Sequence, residues 1–243
     1  MHESQPSPNP SGPSASSSPS ASSSPSARTR VLRRPQRAAY DLASVAAIVD
    51  AGLLCTVAFQ WEGSVHAIPT LHWREGDHLY LHAAKASRLG QALLAGEACV
   101  SIALADGLVL ARSAMHHSLN YRSVVIYGRF EAVTEPEEKH RALRAFIEGL
   151  YPGRWEELRP MTAKEVNATA VLRLSLAEAS AKVRQGGPKD DAEDLAWPAW
   201  AGVIPLQRRQ GEPEMEVDSP LAEAPPTRFG RPGQDGAGVA GVD

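Results

Sequence analysis

In the middle of the chain, apolar residues occupy every second position over several short stretches. This period is typical of β-strands that bury one face. The stretches follow one another closely and are separated by turn-forming pairs such as Glu62-Gly63 and Gly76-Asp77, so neighbouring strands are predicted to form antiparallel hairpins. The alternating stretches are Leu53 to Phe59, Leu79 to Ala83, Val100 to Leu104, Val124 to Ala132 and Ala170 to Leu176.

The stretch from Ser64 to Trp73 is predicted to be a sixth strand. Pro69 lacks a backbone N–H, so this strand must lie at a sheet edge or contain a bulge. A further turn is predicted at Asp106-Gly107. Six antiparallel strands with a few flanking helices predict a mainly β fold, a small β-barrel.

Three stretches instead have the helical period. Leu42 to Val49 follows Asp41, a suitable N-cap, and Arg88 to Ala95 follows Ser87, another. The helix that contains Leu143 to Leu150 is preceded by a segment from Thr134 to Glu137. That segment predicts a capping box with a proline in the first turn.

The two ends of the chain have a different composition from its middle. Residues 1–27 contain twelve serines and six prolines, so residues 1–29 are predicted to be a disordered tail. Five arginines between Arg28 and Arg37 indicate either a basic arm for an acidic partner or a solvated linker, and the linker is favoured. Residues 30–206 form one predicted domain, and residues 207–243 a second disordered tail.

The formal charge of −3 gives no electrostatic reason to expect nucleic acid or an anionic membrane as partner. No apolar stretch approaches the ~20 residues that span a bilayer. The chain has only two cysteines, Cys55 and Cys99, both within apolar runs. They are interpreted as reduced core residues of a cytoplasmic protein.

The segment from His82 to Arg88 places cations where a strand meets a helix. A helix N-terminus offers free backbone N–H groups, so Lys85, Ser87 and Arg88 suit a phosphate. The alternative is an ordinary serine cap beside two solvated cations. Arg122 shares a strand face with Val124 and either reaches water or meets an anion.

Six histidines are scattered through the predicted strands and turns. They lack the spacing of a typical zinc site, and surface or cavity-lining positions are favoured over metal ligation. The chain also lacks a nucleophile elbow, a Walker loop and a dinucleotide-binding fingerprint. The histidines are His66, His72, His78, His82, His116 and His117.

Longer motifs resemble those of the pyridoxamine-phosphate-oxidase-like split-barrel flavoproteins, and most closely their nitroimidazole-reductase branch. The most specific is His117-Ser118-Leu119-Asn120-Tyr121-Arg122-Ser123. Others are Pro69 to Asp77, Leu79 to His82, Ala86 to Arg88, Leu108 to Ala114, Lys182 to Pro188 and Trp200 to Pro205. Relatives often carry Gly-Ser after the strand histidine, where this chain has Ala83-Ala84.

The resemblance implies a six-stranded antiparallel split barrel, a homodimer, and FMN at or near the subunit interface. It implies phosphate binding by the turn that carries Lys85, Ser87 and Arg88. The strand from Val65 to Thr70 would lie behind the flavin ring. The implied cofactor-binding residues are Val65, His66, Ala67, Ile68, Pro69, His82, Lys85, Ser87, Arg88, Arg122 and Ser123.

The resemblance favours an FMN-dependent oxidoreductase that takes electrons from NADH or NADPH. The acceptor would be a small planar electrophile such as a nitroaromatic, with Arg122 and His66 as candidate catalytic residues. A flavin-binding carrier or sensor without turnover is the alternative. A haem or metal protein that uses one of the histidines is a weaker one.

Overall fold

The computed structural model describes residues 23–211 together with residues 214 and 216, and antiparallel strands dominate this part of the chain. The helices are α1 Leu42–Ala51, α2 Arg88–Ala95, α3 Pro136–Leu150, α4 Arg154–Glu157 and α5 Ala163–Ala168. The strands are β1 Ala38–Ala39, β2 Leu54–Trp61, β3 Ser64–Leu71, β4 Trp73–Glu75, β5 His78–Ala84, β6 Glu97–Leu110, β7 Ser118–Arg129, β8 Glu131–Ala132, β9 Thr169–Ser175, β10 Ala179–Arg184 and β11 Gly202–Pro205.

The strands form two sheets. The larger has the order β1-β10-β7-β6-β2-β3, with β11 also paired to β6, and the smaller has the order β4-β5-β9-β8. Only His72 separates β3 from β4, so the chain passes directly from one sheet to the other. The predicted mainly β, antiparallel split-barrel class is confirmed, and each of the six predicted strands corresponds to an observed one.

Buried and exposed side chains alternate along the strands of the larger sheet, and this alternation places the core on one of its faces. Val57, Val100, Val124 and Ala181 are fully buried on one face, against α1 and α2. The other face, called the outer face below, is half-buried or exposed along the same strands. It carries small or polar side chains, including Ala58, Ser101, Ser123 and Lys182.

Two local predictions are wrong. The predicted turn at Asp106-Gly107 is a β-bulge inside the 14-residue strand β6. Gly107 is needed there because a Cβ would lie 2.9 Å from Val203 Cγ1 on β11. Helix α3 begins after Glu135 with Pro136 in its first turn, so Thr134 is not the N-cap.

The segment before α1, residues 28–39, lies along the larger sheet. Arg28 binds Glu97 at 2.7 Å and also Glu178, and its guanidinium lies 5.1 Å from the ring centre of Tyr127. Strand β1 then pairs with β10. The solvated-linker interpretation is therefore wrong for this segment, which is called the arm below.

The predicted disordered tails fall mostly outside the described residues, at residues 1–22 and beyond residue 216. Within the described part of the chain, no helix is both long enough and apolar enough to cross a membrane.

Candidate functional site

The turn between β5 and α2 has the geometry of a capped helix N-terminus. Ser87 Oγ accepts a hydrogen bond from Gly90 N at 3.1 Å, which confirms the predicted N-cap. Ser87 N in turn donates to Ala84 O at 2.9 Å and closes the turn. Lys85 and Arg88 are both exposed, and neither forms an ion pair with another described residue. The turn therefore presents two uncompensated cations beside a helix N-terminus.

A third cation, Lys139 on α3, lies near this turn and was not predicted. Its side chain is buried, and its Nζ donates to Val166 O at 2.6 Å. Burial, and after it the nearby charge of Lys85, lowers the pKa of Lys139. Within the described residues it has no carboxylate partner. Two neighbouring lysines without a counter-charge repel each other, and an anion bound between them would relieve that repulsion.

The sequence did contain a signal for Lys139. It lies three, four and seven residues before Ala142, Leu143 and Phe146, on the apolar stripe of α3. A lysine at such a position either extends its aliphatic chain until the ammonium group reaches water, or its ammonium group is bound by a specific partner. Only the tertiary structure shows that Lys85 is close by.

His82 lies near the end of β5, and two alanines separate it from Lys85 in the turn. Its ring lies 5.0 Å from Phe146 and 6.1 Å from Trp73, centre to centre. Burial lowers its pKa, and its Nδ1 is buried without a hydrogen-bond partner among the described residues. The imidazole is therefore neutral at neutral pH and has one unused polar atom.

Strand β3 lies at the edge of the larger sheet, as Pro69 requires. Val65, Ala67 and Pro69 are exposed on the outer face, and Val65 keeps 74% of its accessible surface. His66 and Ile68 alternate with them and face the core side. The His66 ring stacks on Phe59, with 5.4 Å between the ring centres.

Arg122 meets an anion, as one of the two sequence alternatives proposed. Its Nε and Nη2 bind the two carboxylate oxygens of Asp106 at 3.0 and 2.7 Å. These hydrogen bonds raise the pKa of Arg122. The adjacent Ser123 lies on the outer face, where its Oγ donates to Lys182 O at 3.4 Å.

The structure brings some of the predicted site residues together and separates others. His82, Lys85, Ser87 and Arg88 lie at one end of β5, and Lys139 joins them. Arg122 lies three strands away from β3 across the larger sheet, or roughly 14 Å. Among the described residues, no group of three or more histidine, cysteine or acidic side chains is placed to hold a metal ion.

The profile of the pyridoxamine 5'-phosphate oxidase family matches residues 41–183 of this chain. This match confirms the resemblance described from the sequence motifs. Among curated proteins, none matches the chain.

Solved structures give closer matches. The flavocytochrome Anf3 of Azotobacter vinelandii is 47% identical, with a TM-score of 0.79, over 83% of this chain and 94% of that one. The FAD and haem binding protein of Mycobacterium smegmatis is 35% identical, with a TM-score of 0.74, over 78% of this chain and 94% of that one. A Bacteroides thetaiotaomicron protein named for 5-nitroimidazole antibiotic resistance is 20% identical over 60% of this chain and 86% of that one. Its TM-score of 0.51 supports the shared fold alone.

Proposed function

Because this chain belongs to the pyridoxamine 5'-phosphate oxidase family, we propose that it is a flavoprotein that transfers electrons. The observation that carries the proposal is the cluster of Lys85, Arg88 and Lys139 at the N-terminus of α2. None of the three has a carboxylate partner among the described residues. A flavin phosphate would supply the missing negative charge through charge-assisted hydrogen bonds.

The outer face of β3 supports the same proposal. Val65, Ala67 and Pro69 form an exposed apolar strip along a sheet edge. Exposed apolar strips of this kind usually mark a binding surface. A flat aromatic ring system covers such a strip well, and the exposed side of β3 also has unpaired backbone groups to offer it. His66 and Ile68 contribute to the strip through their backbone rather than their side chains.

The flavin is proposed to be FMN, or FAD held through its FMN half. Both present the same ring and the same first phosphate to the site. The name of the FAD and haem binding protein of Mycobacterium smegmatis supports FAD. That name, and the name flavocytochrome of the Azotobacter vinelandii protein, also support haem as a second cofactor, which the sequence alone left as a weaker alternative.

Haem iron binds neutral imidazole nitrogen. The structure contains a suitable side chain in His82, whose pKa is lowered by burial and whose Nδ1 has no hydrogen-bond partner in the described structure. Phe146 and Trp73 give it apolar neighbours, as a porphyrin requires. We therefore propose His82 as the haem ligand if this second cofactor is bound.

When bound, the flavin would supply the redox chemistry, and the protein would position it and tune its electrostatics. We propose NADH or NADPH as donor and a small planar electrophile, such as a nitroaromatic, as acceptor, which would make the protein an oxidoreductase. Arg122 is the proposed cation near the flavin ring, and His66 the second candidate. A carrier or sensor without turnover is the alternative, and the compartment is proposed to be the cytoplasm.

The first test is the cofactor content of the purified protein. We expect flavin absorbance and a co-purifying mass of FMN or FAD, and a haem Soret band if the second cofactor is present. Oxidation of NADH or NADPH at steady state then separates an enzyme from a carrier. Protein that carries neither flavin nor flavin affinity contradicts the proposed function.

The second test is the oligomeric state, which we expect to be a homodimer. Leu54, Val65 and Leu71 lie exposed on the outer face, and a second copy would cover them. A dimer would also explain why Arg122 lies far from β3, because residues separated within one chain can meet at an interface. Light scattering at micromolar concentration should give twice the chain mass of 26.0 kDa. A mass of one chain contradicts the dimer.

A further inference from the structure

A pocket of about 550 Å³ lies on the outer face of the larger sheet, away from the 85–88 turn. It is lined by residues of β7 and β10, of the arm, and of the segments just before β7 and just after β10. We propose that this basic pocket binds the adenosine diphosphate half of a dinucleotide. The proposal rests on the proposed function, because a flavin or nicotinamide dinucleotide would bring that half to the protein. The cations that line the pocket are Arg33, Arg34, Arg37, Lys182, Arg184 and Lys189.

The charges of these six side chains are not neutralised within the described part of the chain, where none of them forms an ion pair. Among the fourteen described arginines outside the pocket, eight bind a carboxylate. Two acidic residues that follow Lys189 in the chain are engaged elsewhere, because Asp190 binds Arg112 and Asp191 binds His116, a histidine that also lines the pocket. A multiply charged anion is the ligand that balances such a cluster.

Arg184 gives an independent indication of a bound anion. It is only 7% exposed and donates to Asn120 Oδ1, Gly186 O and Gly187 O, which are all neutral acceptors. Burial, and after it the nearby Arg37, lowers the pKa of Arg184. A buried charge without a counter-charge is costly, so this guanidinium suits a site that holds an anion.

The arm's backbone is held in place around the three of its five arginines that line the pocket. Arg34 has a φ of 57°, in the left-handed region, and its carbonyl accepts a hydrogen bond from Arg37 N at 3.0 Å. Strand β1 anchors the arm on one side of this turn, and the bond from Val31 N to Tyr40 Oη, 3.0 Å long, anchors it on the other. The backbone that carries these arginines is therefore organised before any ligand arrives.

The pocket fits a nucleotide better than a bare phosphate or a porphyrin. Its volume lies within the roughly 300–1,000 Å³ of small-molecule sites. Tyr121 and Met115 add an aromatic face and an apolar side chain to a lining that is otherwise mostly polar. An adenine base can stack on such a face, whereas a porphyrin needs apolar walls on both sides.

The pocket lies on the same sheet face as the proposed flavin-binding strip. Lys182 pairs with Ser123, and both lie on the outer face that also carries the side chains of Val65, Ala67 and Pro69. Of the six cations, only Lys182 falls within residues 41–183, the part that matches the family profile. Residues 115–118 and Tyr121, which also line the pocket, fall within that part as well.

The experiment is a calorimetric titration with ADP, on the protein as purified and after removal of its flavin. Arg34→Gln and Lys182→Gln are the test variants, and Arg30→Gln, an exposed arginine of the same arm outside the pocket, is the matched control. We expect each test variant to bind ADP about tenfold or more weakly, as the loss of one charge-assisted contact implies. The Arg30→Gln variant should bind ADP like the wild type.

The comparison of the two protein preparations distinguishes the source of the nucleotide. If ADP binds only after flavin removal, the pocket holds FAD, and the test variants should lower affinity for FAD while leaving affinity for FMN unchanged. If ADP also binds with the flavin in place, the pocket serves the nicotinamide donor, and the test variants should raise the KM for NADH or NADPH.

Absence of ADP binding in both forms overturns the proposal, and so does equal ADP affinity in the test and control variants. Neither outcome concerns the flavin phosphate, which depends on the 85–88 turn. Conversely, a protein without flavin would fail the proposed function and would still give a valid ADP titration.

Discussion

The variant Arg88→Glu is expected to lose most of its bound flavin while its fold survives. Arg88 is exposed beside the N-terminus of α2, so the substitution disturbs no packing. Losing one charge-assisted phosphate contact costs roughly 1.5–3 kcal/mol, or about tenfold to a hundredfold in affinity. The reversed charge adds repulsion to that loss. Flavin content per chain after gel filtration, with circular dichroism as the fold check, measures the effect.

Lys85→Glu should behave in the same way, because Lys85 lies on the other side of the same capped turn. Arg129→Glu is the matched control. This arginine is also exposed and forms no ion pair with the described residues, and it lies at the end of β7, far along the chain from the turn. Full flavin occupancy in both test variants would exclude the 85–88 turn as the phosphate site.

The variant Arg122→Ala is expected to slow reduction of the bound flavin by NADH or NADPH about 10²-fold, if its charge faces the flavin directly. A positioned cation stabilises the negative charge that a flavin gains as it accepts electrons. Some flavin should remain bound, in contrast to the variants at the 85–88 turn. Stopped-flow absorbance at the flavin band gives the rate, and flavin content gives the binding.

The pair that Arg122 forms with Asp106 supplies a control that the sequence did not suggest. Asp106→Asn breaks the ion pair yet keeps the arginine charge, so flavin reduction should stay as fast as in the wild type. If Arg122 serves only to hold Asp106, the two variants should lose similar thermal stability and neither should change the rate. Wild-type flavin that neither nucleotide reduces within minutes would argue for the carrier instead.

The strands were predictable where apolar side chains alternate on one buried face. Strand β10 was missed because Ala179, Ser180 and Ala181 are small and carry little pattern, although its neighbours bury it completely on one side. The bulge in β6 was predicted as a turn because Asp-Gly is a common turn pair. Only the pairing of β6 with both β7 and β11 shows that the strand continues.

The candidate site was likewise predictable only in the features that depend on local sequence. The Ser87 cap follows from local sequence, because capping involves residues only three positions apart. The approach of Lys139 to Lys85 and the pairing of Arg122 with Asp106 depend on tertiary contacts. Local sequence patterns contain no information about such contacts, so a sequence can indicate an isolated charge without indicating its partner.

The arm and β10 both contribute cations to the basic pocket, and this has a thermodynamic consequence. Any anion held between them adds its binding free energy to the attachment of the arm, because the arm can peel away only after the anion leaves. Proteolytic cleavage near Arg33 and Arg34 then becomes dependent on nucleotide concentration. A chain shortened to begin at residue 41 would keep the entire segment that matches the family profile, yet lose three of the six cations.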